Sequence, residues 1–427
     1  MTDFTMLSNP DLKQLREDLL VQYREFKSHS LKLDITRGKP CSEQLDLALD
    51  MLDCVNSKNY LTAEGTDSRN YGGLDGIPAA KKLFSDYLEV QPEELIIGGN
   101  SSLNLMHDVF MRAIVKGVSE DAPPWGKLPE IKFLCPSPGY DRHFFICDYL
   151  GIKMIPVAMD DHGPDMTAVE KLVAADESIK GIWCVPKYSN PTGAVYSDEV
   201  VERLAEMDTK APDFRIFWDN AYTVHHLDDQ PARLKNILDA CKKAGNPERV
   251  FMFGSTSKVA FAGSGLAMMA GSAKNMSLAK KQIAFQTIGP DKLNQLRHVA
   301  FFKNMVGIQD HMKKHTMILI PKFNAVQEEL ECALGGKKIA NWSQPKGGYF
   351  VSIDTMDGCA ADVIRLAAEA GVKLTPAGST YPYMQDPLDR NIRIAPSFPP
   401  LADIRSAMQL VGICIQLASI DKLITPP

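Results

Sequence analysis

The sequence predicts an α/β fold: a mainly parallel sheet with helices on both faces, followed by a smaller α+β domain. Two observations carry the sheet. Short apolar runs recur, and each ends in a polar or glycine-rich cluster. Leu95-Ile-Ile97 precedes Gly98-Gly-Asn-Ser-Ser102, and Lys132-Phe-Leu-Cys135 precedes Pro136-Ser-Pro-Gly-Tyr140. Gly181–Val185 precedes Pro186–Gly193, Arg215–Trp218 precedes Asp219–Tyr222, and Val250–Phe253 precedes Gly254–Lys258. Helical stretches separate these runs, as parallel pairing requires. Ligands in such sheets bind beyond the carboxyl ends of the strands, where every one of these clusters falls. The third observation is a change of character beyond residue 337, where strands and helices no longer alternate in that rhythm.

Residues 6–29 carry Leu12, Leu15, Leu19, Leu20, Tyr23 and Phe26 near helical spacing. Leu31–Ile35 alternates like a short strand and runs into Thr36-Arg-Gly-Lys-Pro40. A glycine-rich turn, Asn70–Gly76, leads to a helix over Pro78–Leu88 with proline in its first turn. Lys153–Val157 is a further strand. Residues 292–333 read as one long helix or a broken pair. Lys346–Ile353 and Asn391–Ala395 read as strands, and Ala361–Ala370 and Asp403–Leu423 as helices. The expected division is an N-terminal helix and strand (1–45) belonging to the small domain, a large domain (46–300), and the C-terminal small domain (301–427).

Composition narrows the function. The chain has 427 residues and a net charge of -6, so no basic footprint points to nucleic acid. The uncharged run Val259–Ala273 is shorter than the ~20 residues that span a bilayer, so no membrane partner is expected. No secretory signal stands at the N-terminus. The nine cysteines are scattered without a C-x-x-C pair, which fits reduced thiols in the cytoplasm and predicts no metal site.

Gly254-Ser-Thr-Ser-Lys258 draws most attention. No charged residue follows Lys258 until Lys274. A lysine in an apolar, glycine-lined pocket loses hydration, which favours its neutral amine. Such an amine can attack a carbonyl and form a Schiff base. Alone, Ser-x-Ser-Lys could equally be a polar surface turn, and Asn190-Pro-Thr-Gly193 an ordinary turn. Asp219 could cap a helix, Tyr140 could be a core tyrosine, and Arg393 could sit on an exposed strand face.

Taken together, Asn190-Pro-Thr-Gly193, Asp219-x-x-Tyr222, Ser255-x-Ser-Lys258 and Arg393 resemble the fold type I pyridoxal-phosphate enzymes, specifically the class I/II aminotransferases. The resemblance runs from about residue 30 to 400. Asp34-Ile-Thr-Arg-Gly-Lys39 suggests a divergent bacterial aspartate-aminotransferase-like subgroup. It implies pyridoxal 5'-phosphate on Lys258, with the freed amine later moving a proton. It implies Asp219 against the pyridinium nitrogen, Tyr222 and Asn190 at the ring's phenolic oxygen, and Tyr140 on the ring face. Asn100, Ser101 and Ser102 at a helix N-terminus would hold the phosphate, with Ser255 and Ser257. Arg393 would clamp the substrate α-carboxylate beside Gly38 and Asn190. Tyr71 would reach the neighbouring subunit's phosphate, making a homodimer with shared active sites. The implied substrates are an amino acid and a 2-oxo acid, with aspartate and 2-oxoglutarate the expected pair. Arg37 is the first choice for the distal carboxylate and Arg142 the second.

One departure stands out. The family arginine about eight residues after the lysine is absent: position 266 is leucine, its neighbour is Gly265, and no arginine follows until Arg297. A β- or γ-eliminating lyase on the same scaffold is the rival reading. A regulator with an aminotransferase-like sensor is a distant third, because only a short helix precedes Leu31.

Overall fold

A computed structural model describes residues 3–29 and 31–425. The strands are β1 (Leu33–Asp34), β2 (Leu95–Ile97), β3 (Lys132–Ser137), β4 (Lys153–Asp160), β5 (Gly163–Pro164), β6 (Ile179–Cys184) and β7 (Arg215–Asp219). They continue as β8 (Val250–Ser255), β9 (Ala267–Ala270), β10 (Ala340–Trp342), β11 (Val351–Thr355), β12 (Val372–Lys373) and β13 (Asn391–Ile394). One eight-stranded sheet has the order β2-β9-β8-β7-β6-β3-β4-β5. Pairing from β4 through β3, β6 and β7 to β8 is parallel, and only the outer pairings with β9, β2 and β5 are antiparallel. Every residue of β6, β7 and β8 is buried, which requires cover on both faces. One face packs residues such as Leu204, Leu238 and Trp218 into a core. The other packs Phe110, Phe133, Trp183 and Phe217 into an aromatic cluster. The α/β architecture and the smaller α+β layer predicted from the sequence are both present.

A separate core gathers Leu12, Leu19 and Tyr23 of the N-terminal helix Asn9–Ser28 with the closing helix Leu401–Ile424. It includes the three-stranded sheet β10-β11-β13, while β1 pairs with β12 in parallel. The closing helix is long and apolar enough to cross a membrane by composition, but 72% of its most apolar stretch is buried within the chain. Residues 292–333 resolve into two helices, Lys292–Phe302 and Met305–Leu334. The second helix contributes Ile308 and Met312 to the first core and Leu319 and Phe323 to the second, so it ties the two layers together.

The sequence reading departs from the structure in three places. The strand expected over Lys346–Ile353 starts only at Val351. Gly347 and Gly348 instead wrap closely around Tyr188, where a Cβ on Gly347 would lie 2.3 Å from the Tyr188 ring. The Leu31–Ile35 strand pairs over only two residues. Ala267–Ala270, within the uncharged run after Lys258, is a strand hydrogen-bonded to both β8 and β2.

Candidate active site

The carboxyl ends of β6, β7 and β8 bring Asn190, Asp219, Tyr222 and Lys258 to one place, each within a few residues of its strand. Lys258 sits in the turn after β8. Its Nζ lies 5.3 Å from the Tyr222 ring centroid and 6.0 Å from that of Tyr349. It makes no hydrogen bond among the described residues. By surface area the residue is partly exposed. Burial lowers its pKa, and the nearby Asp219 carboxylate opposes that shift only in part.

Asp219 is 3% exposed. Its Oδ2 is 3.0 Å from Nε2 of His143, whereas Oδ1 is buried with no partner. The His143 ring is parallel to Trp183 at 4.1 Å, which fixes its plane, and Tyr140 meets its edge at 4.9 Å. Burial raises the phenol pKa values of Tyr140 and Tyr222, and Asp219 adds to both shifts.

Arg393, on β13 of the other layer, reaches the same place. It is 6% exposed, and its Nη1 lies 3.3 Å from Asn190 Oδ1 and 3.4 Å from Asp141 Oδ1. Its Nε is buried without a partner. The guanidinium lies over the Phe350 ring at 4.9 Å. Gly38 backs that ring, and a Cβ at 38 would stand 2.5 Å from Phe350 Cζ, so the close approach requires glycine.

Asn100, Ser101 and Ser102 open the helix Ser102–Lys116, whose first N–H groups have no side-chain cap. Ser257 Oγ donates to the Asn100 carbonyl at 3.3 Å, and Asn100 Nδ2 donates to the Gly263 carbonyl at 3.1 Å. Ser255 is buried at the end of β8. The Ser257 contact ties the start of this helix to the lysine turn. Arg37 is exposed and makes no side-chain hydrogen bond or ion pair among the described residues. Arg142 is exposed as well, with its guanidinium 5.8 Å from the Phe145 ring. Tyr71 does not join the cluster and is 81% exposed. Its loop is anchored by the buried Lys292, whose Nζ donates to the carbonyls of Asn70 and Gly72.

The sequence model of the aspartate amino-transferase family matches residues 7–426. The chain belongs to the aspartate aminotransferase family. It is a transaminase of the pyridoxal-phosphate fold type I kind. The aminotransferase is 47% identical to a putative aminotransferase of Mycolicibacterium smegmatis, over 96% of this chain and 98% of that protein. It is 45% identical to an aspartate aminotransferase of Corynebacterium glutamicum, over 95% and 94% of the two chains. A crystal structure of an aspartate transaminase from C. glutamicum superposes with a TM-score of 0.97 at 43% identity, covering 99% of each chain.

The aminotransferase also holds its lysine turn by groups that the sequence reading missed. On one side, Thr256 Oγ1 accepts from the Leu266 amide at 2.7 Å and lies 2.9 Å from His298 Nε2. His298 Nδ1 faces the Asn294 carbonyl at 2.8 Å, so its proton sits there and Thr256 donates to Nε2. On the other side, Tyr349 Oη donates to the Lys258 carbonyl at 3.4 Å, and His225 Nε2 lies 3.2 Å from that carbonyl. Gln44 Nε2 donates to both Tyr349 Oη and His315 Nδ1, each at 3.0 Å. His315 Nε2 meets His311 Nε2 at 3.0 Å, and His311 Nε2 is 2.8 Å from the Val259 carbonyl.

Where the family arginine is absent, the turn is closely packed. Leu266 is buried in the core, and a Cβ at Gly265 would lie 3.0 Å from the Ser257 amide nitrogen. A side chain at 265 would crowd the Ser257 backbone, and position 266 is taken by a packed apolar side chain.

Proposed function

We propose that this aminotransferase holds pyridoxal 5'-phosphate on Lys258 and moves the amino group of aspartate to 2-oxoglutarate, working as a cytoplasmic homodimer. The observation that carries the cofactor assignment is Asp219 Oδ1, a buried carboxylate oxygen with no partner, near an amine whose pKa burial lowers. Leaving such an oxygen unmet is costly, and a protonated pyridine nitrogen is the donor that would meet it. When bound, the cofactor supplies an electron sink for the charge that develops at the substrate Cα.

The chain's own residues do the rest. Lys258 carries the group and then takes the α-proton and returns it, which its lowered basicity suits. His143 orients Asp219 against the ring nitrogen. Tyr222 and Asn190 serve the phenolic oxygen, and Tyr140 covers the ring. Asn100, Ser101, Ser102, Ser255 and Ser257 hold the phosphate with neutral donors, in keeping with the absent arginine. Arg393 takes the substrate α-carboxylate beside Gly38, and Arg37 takes the distal one. The exposure of Tyr71 on an anchored loop suits a role in the partner subunit's site. The small domain, in this reading, comprises residues 1–45 and 301–427, around a large domain of 46–300. Aspartate is favoured because the C. glutamicum relative carries that name.

Borohydride reduction of the holoenzyme followed by peptide mapping tests the first part. The phosphopyridoxyl group is expected on Lys258, and a label on any other lysine would sink the assignment. A donor panel with 2-oxoglutarate as acceptor tests the second. Aspartate should give the highest kcat/KM, and a faster donor would overturn the substrate while leaving the cofactor in place.

A further inference from the structure

A second cavity of ≈ 580 Å³ lies on the opposite side of the strand ends from Asp219. That volume is in the range of small-molecule sites. Strand alternation separates the two. Phe217 and Asp219 face the aromatic cluster and His143, whereas Trp218 and Asn220 line the cavity. The same turn sends Tyr222 toward Lys258 and Thr223 into the cavity.

The lining is built from buried polar groups. Asn220 is 7% exposed, and its Oδ1 is buried with no partner. Lys187 is 9% exposed, and its ammonium spends one donor on the Thr223 carbonyl at 2.9 Å. An ammonium has three donors, so two remain for another acceptor. The Tyr87 hydroxyl is also buried and makes no well-formed hydrogen bond, although Thr223 lies close to it. Burial lowers the Lys187 pKa to about 8, which leaves it charged at neutral pH. Around the lining, Lys187, Arg233, Lys235 and Lys243 outnumber Glu89 and Asp239. Lys235 already pairs with Glu202, and Asp239 with Lys242 at 3.5 Å. The surplus is positive. Trp218, Leu88 and Met252 supply apolar wall.

We propose that this cavity is a second binding site, for a small hydroxy- or amino-acid anion. Its carboxylate meets Lys187, and its O–H or N–H donor meets Asn220 Oδ1. The site needs no cofactor, so its failure and that of the cofactor assignment are separable. Occupancy would press on the turn that carries Asp219 and Tyr222 from behind.

Equilibrium dialysis of the holoenzyme with L-malate tests the proposal, using Arg393→Ala as the background to weaken carboxylate binding at the catalytic pocket. The Arg393→Ala protein is expected to keep a saturable malate site. Adding Lys187→Met or Asn220→Leu should weaken that site at least about tenfold, the loss expected for a charge-assisted or buried hydrogen bond. Arg233→Glu, an exposed change at the mouth, should weaken it several-fold without threatening the fold, and it serves if the buried variants do not fold. The proposal is overturned if Arg393→Ala alone abolishes malate binding, if no saturable binding occurs, or if the cavity variants bind as their background does.

Discussion

The two sides of the Lys258 turn are built on opposite rules. On the substrate side, polar groups are left free: Asp219 Oδ1 and Arg393 Nε are buried without partners, and Lys258 Nζ makes no hydrogen bond among the described residues. Behind the turn, Gln44, His315, His311 and Tyr349 are joined by contacts at 2.8–3.4 Å, and among these described residues and the adjoining His225 only His225 Nδ1 is buried without a partner. A free buried polar group destabilises the fold, while a satisfied network rigidifies it. At the catalytic pocket, then, unpartnered buried groups stand where a ligand can meet them, whereas the scaffold behind Lys258 is linked by paired groups. Removing a free group should damage chemistry and spare the fold, and removing a network group should do the reverse.

The largest effect is expected at Asp219. Asp219→Ala should lower transamination by about a hundredfold or more, since loss of one member of a buried charged pair is worth about 3–5 kcal/mol. Its melting temperature without cofactor should change far less. Near-wild-type turnover would remove the carboxylate from the reaction and break the comparison at its centre.

Arg37 is the next largest. Charge-assisted pairing with a distal carboxylate is worth about 1.5–3 kcal/mol, roughly ten- to a hundredfold in kcat/KM. Arg37→Ala should lose that much on aspartate and little on alanine, as steady-state kinetics with both donors would reveal. Equal losses on both would exclude Arg37 from reading the side chain and make Arg142 the candidate.

His315 probes the opposite side. Burial lowers its pKa to about 3, with the neighbouring His311 adding to the shift, and His311 is itself lowered. Full protonation would set N–H against N–H or against the Gln44 amide, which explains the direction. The unfolded imidazole, near 6.5, binds more protons than the folded one below that pH, so folded-state stability falls as pH drops from about 6.5 toward 3. His315→Leu should cost about 1–2 kcal/mol at neutral pH, because it removes one contact each from Gln44 and His311 while leaving them Tyr349 and the Val259 carbonyl, and it should flatten the acid dependence. Urea titrations at about pH 7.5 and about pH 5 would measure both changes. An unchanged acid slope would show that this imidazole does not carry it.

The sequence exposed one side of this contrast and hid the other. The free groups sit in short local motifs at strand ends, so Asp219, Tyr222, Asn190 and Lys258 could be read from their immediate neighbours. The network is made of partners far apart in the chain, such as Gln44 and His315, separated by 271 residues. His311 and His315 fall one helical turn apart on a long helix, where they read as ordinary polar positions. His143 was nearer to hand, three residues beyond Tyr140 in the first turn of the next helix, but nothing local marks it as the partner of Asp219. Ala267–Ala270 escaped as a strand because it has no β-branched residue and sits between glycines. The large-domain strands were legible because burial on both faces makes them continuous apolar runs.

The smallest effect is expected at Tyr349. Its hydroxyl donates to the Lys258 carbonyl at 3.4 Å and accepts from Gln44 at 3.0 Å. Tyr349→Phe keeps the ring, which packs 6.1 Å from Tyr222 and flanks the amine. The Lys258 carbonyl keeps His225, and Gln44 keeps His315, so no group loses its only partner. The net loss is therefore one ordinary hydrogen bond, about 1 kcal/mol of stability. Turnover should fall only a few-fold, because the turn is still pinned through Thr256 and His298 on its other side. Thermal melts and kcat of Tyr349→Phe beside His315→Leu decide the matter. If the tyrosine variant loses activity on the scale of Asp219→Ala, its hydroxyl belongs with the free groups that meet the substrate. The paired scaffold would then end at Gln44 rather than at the lysine.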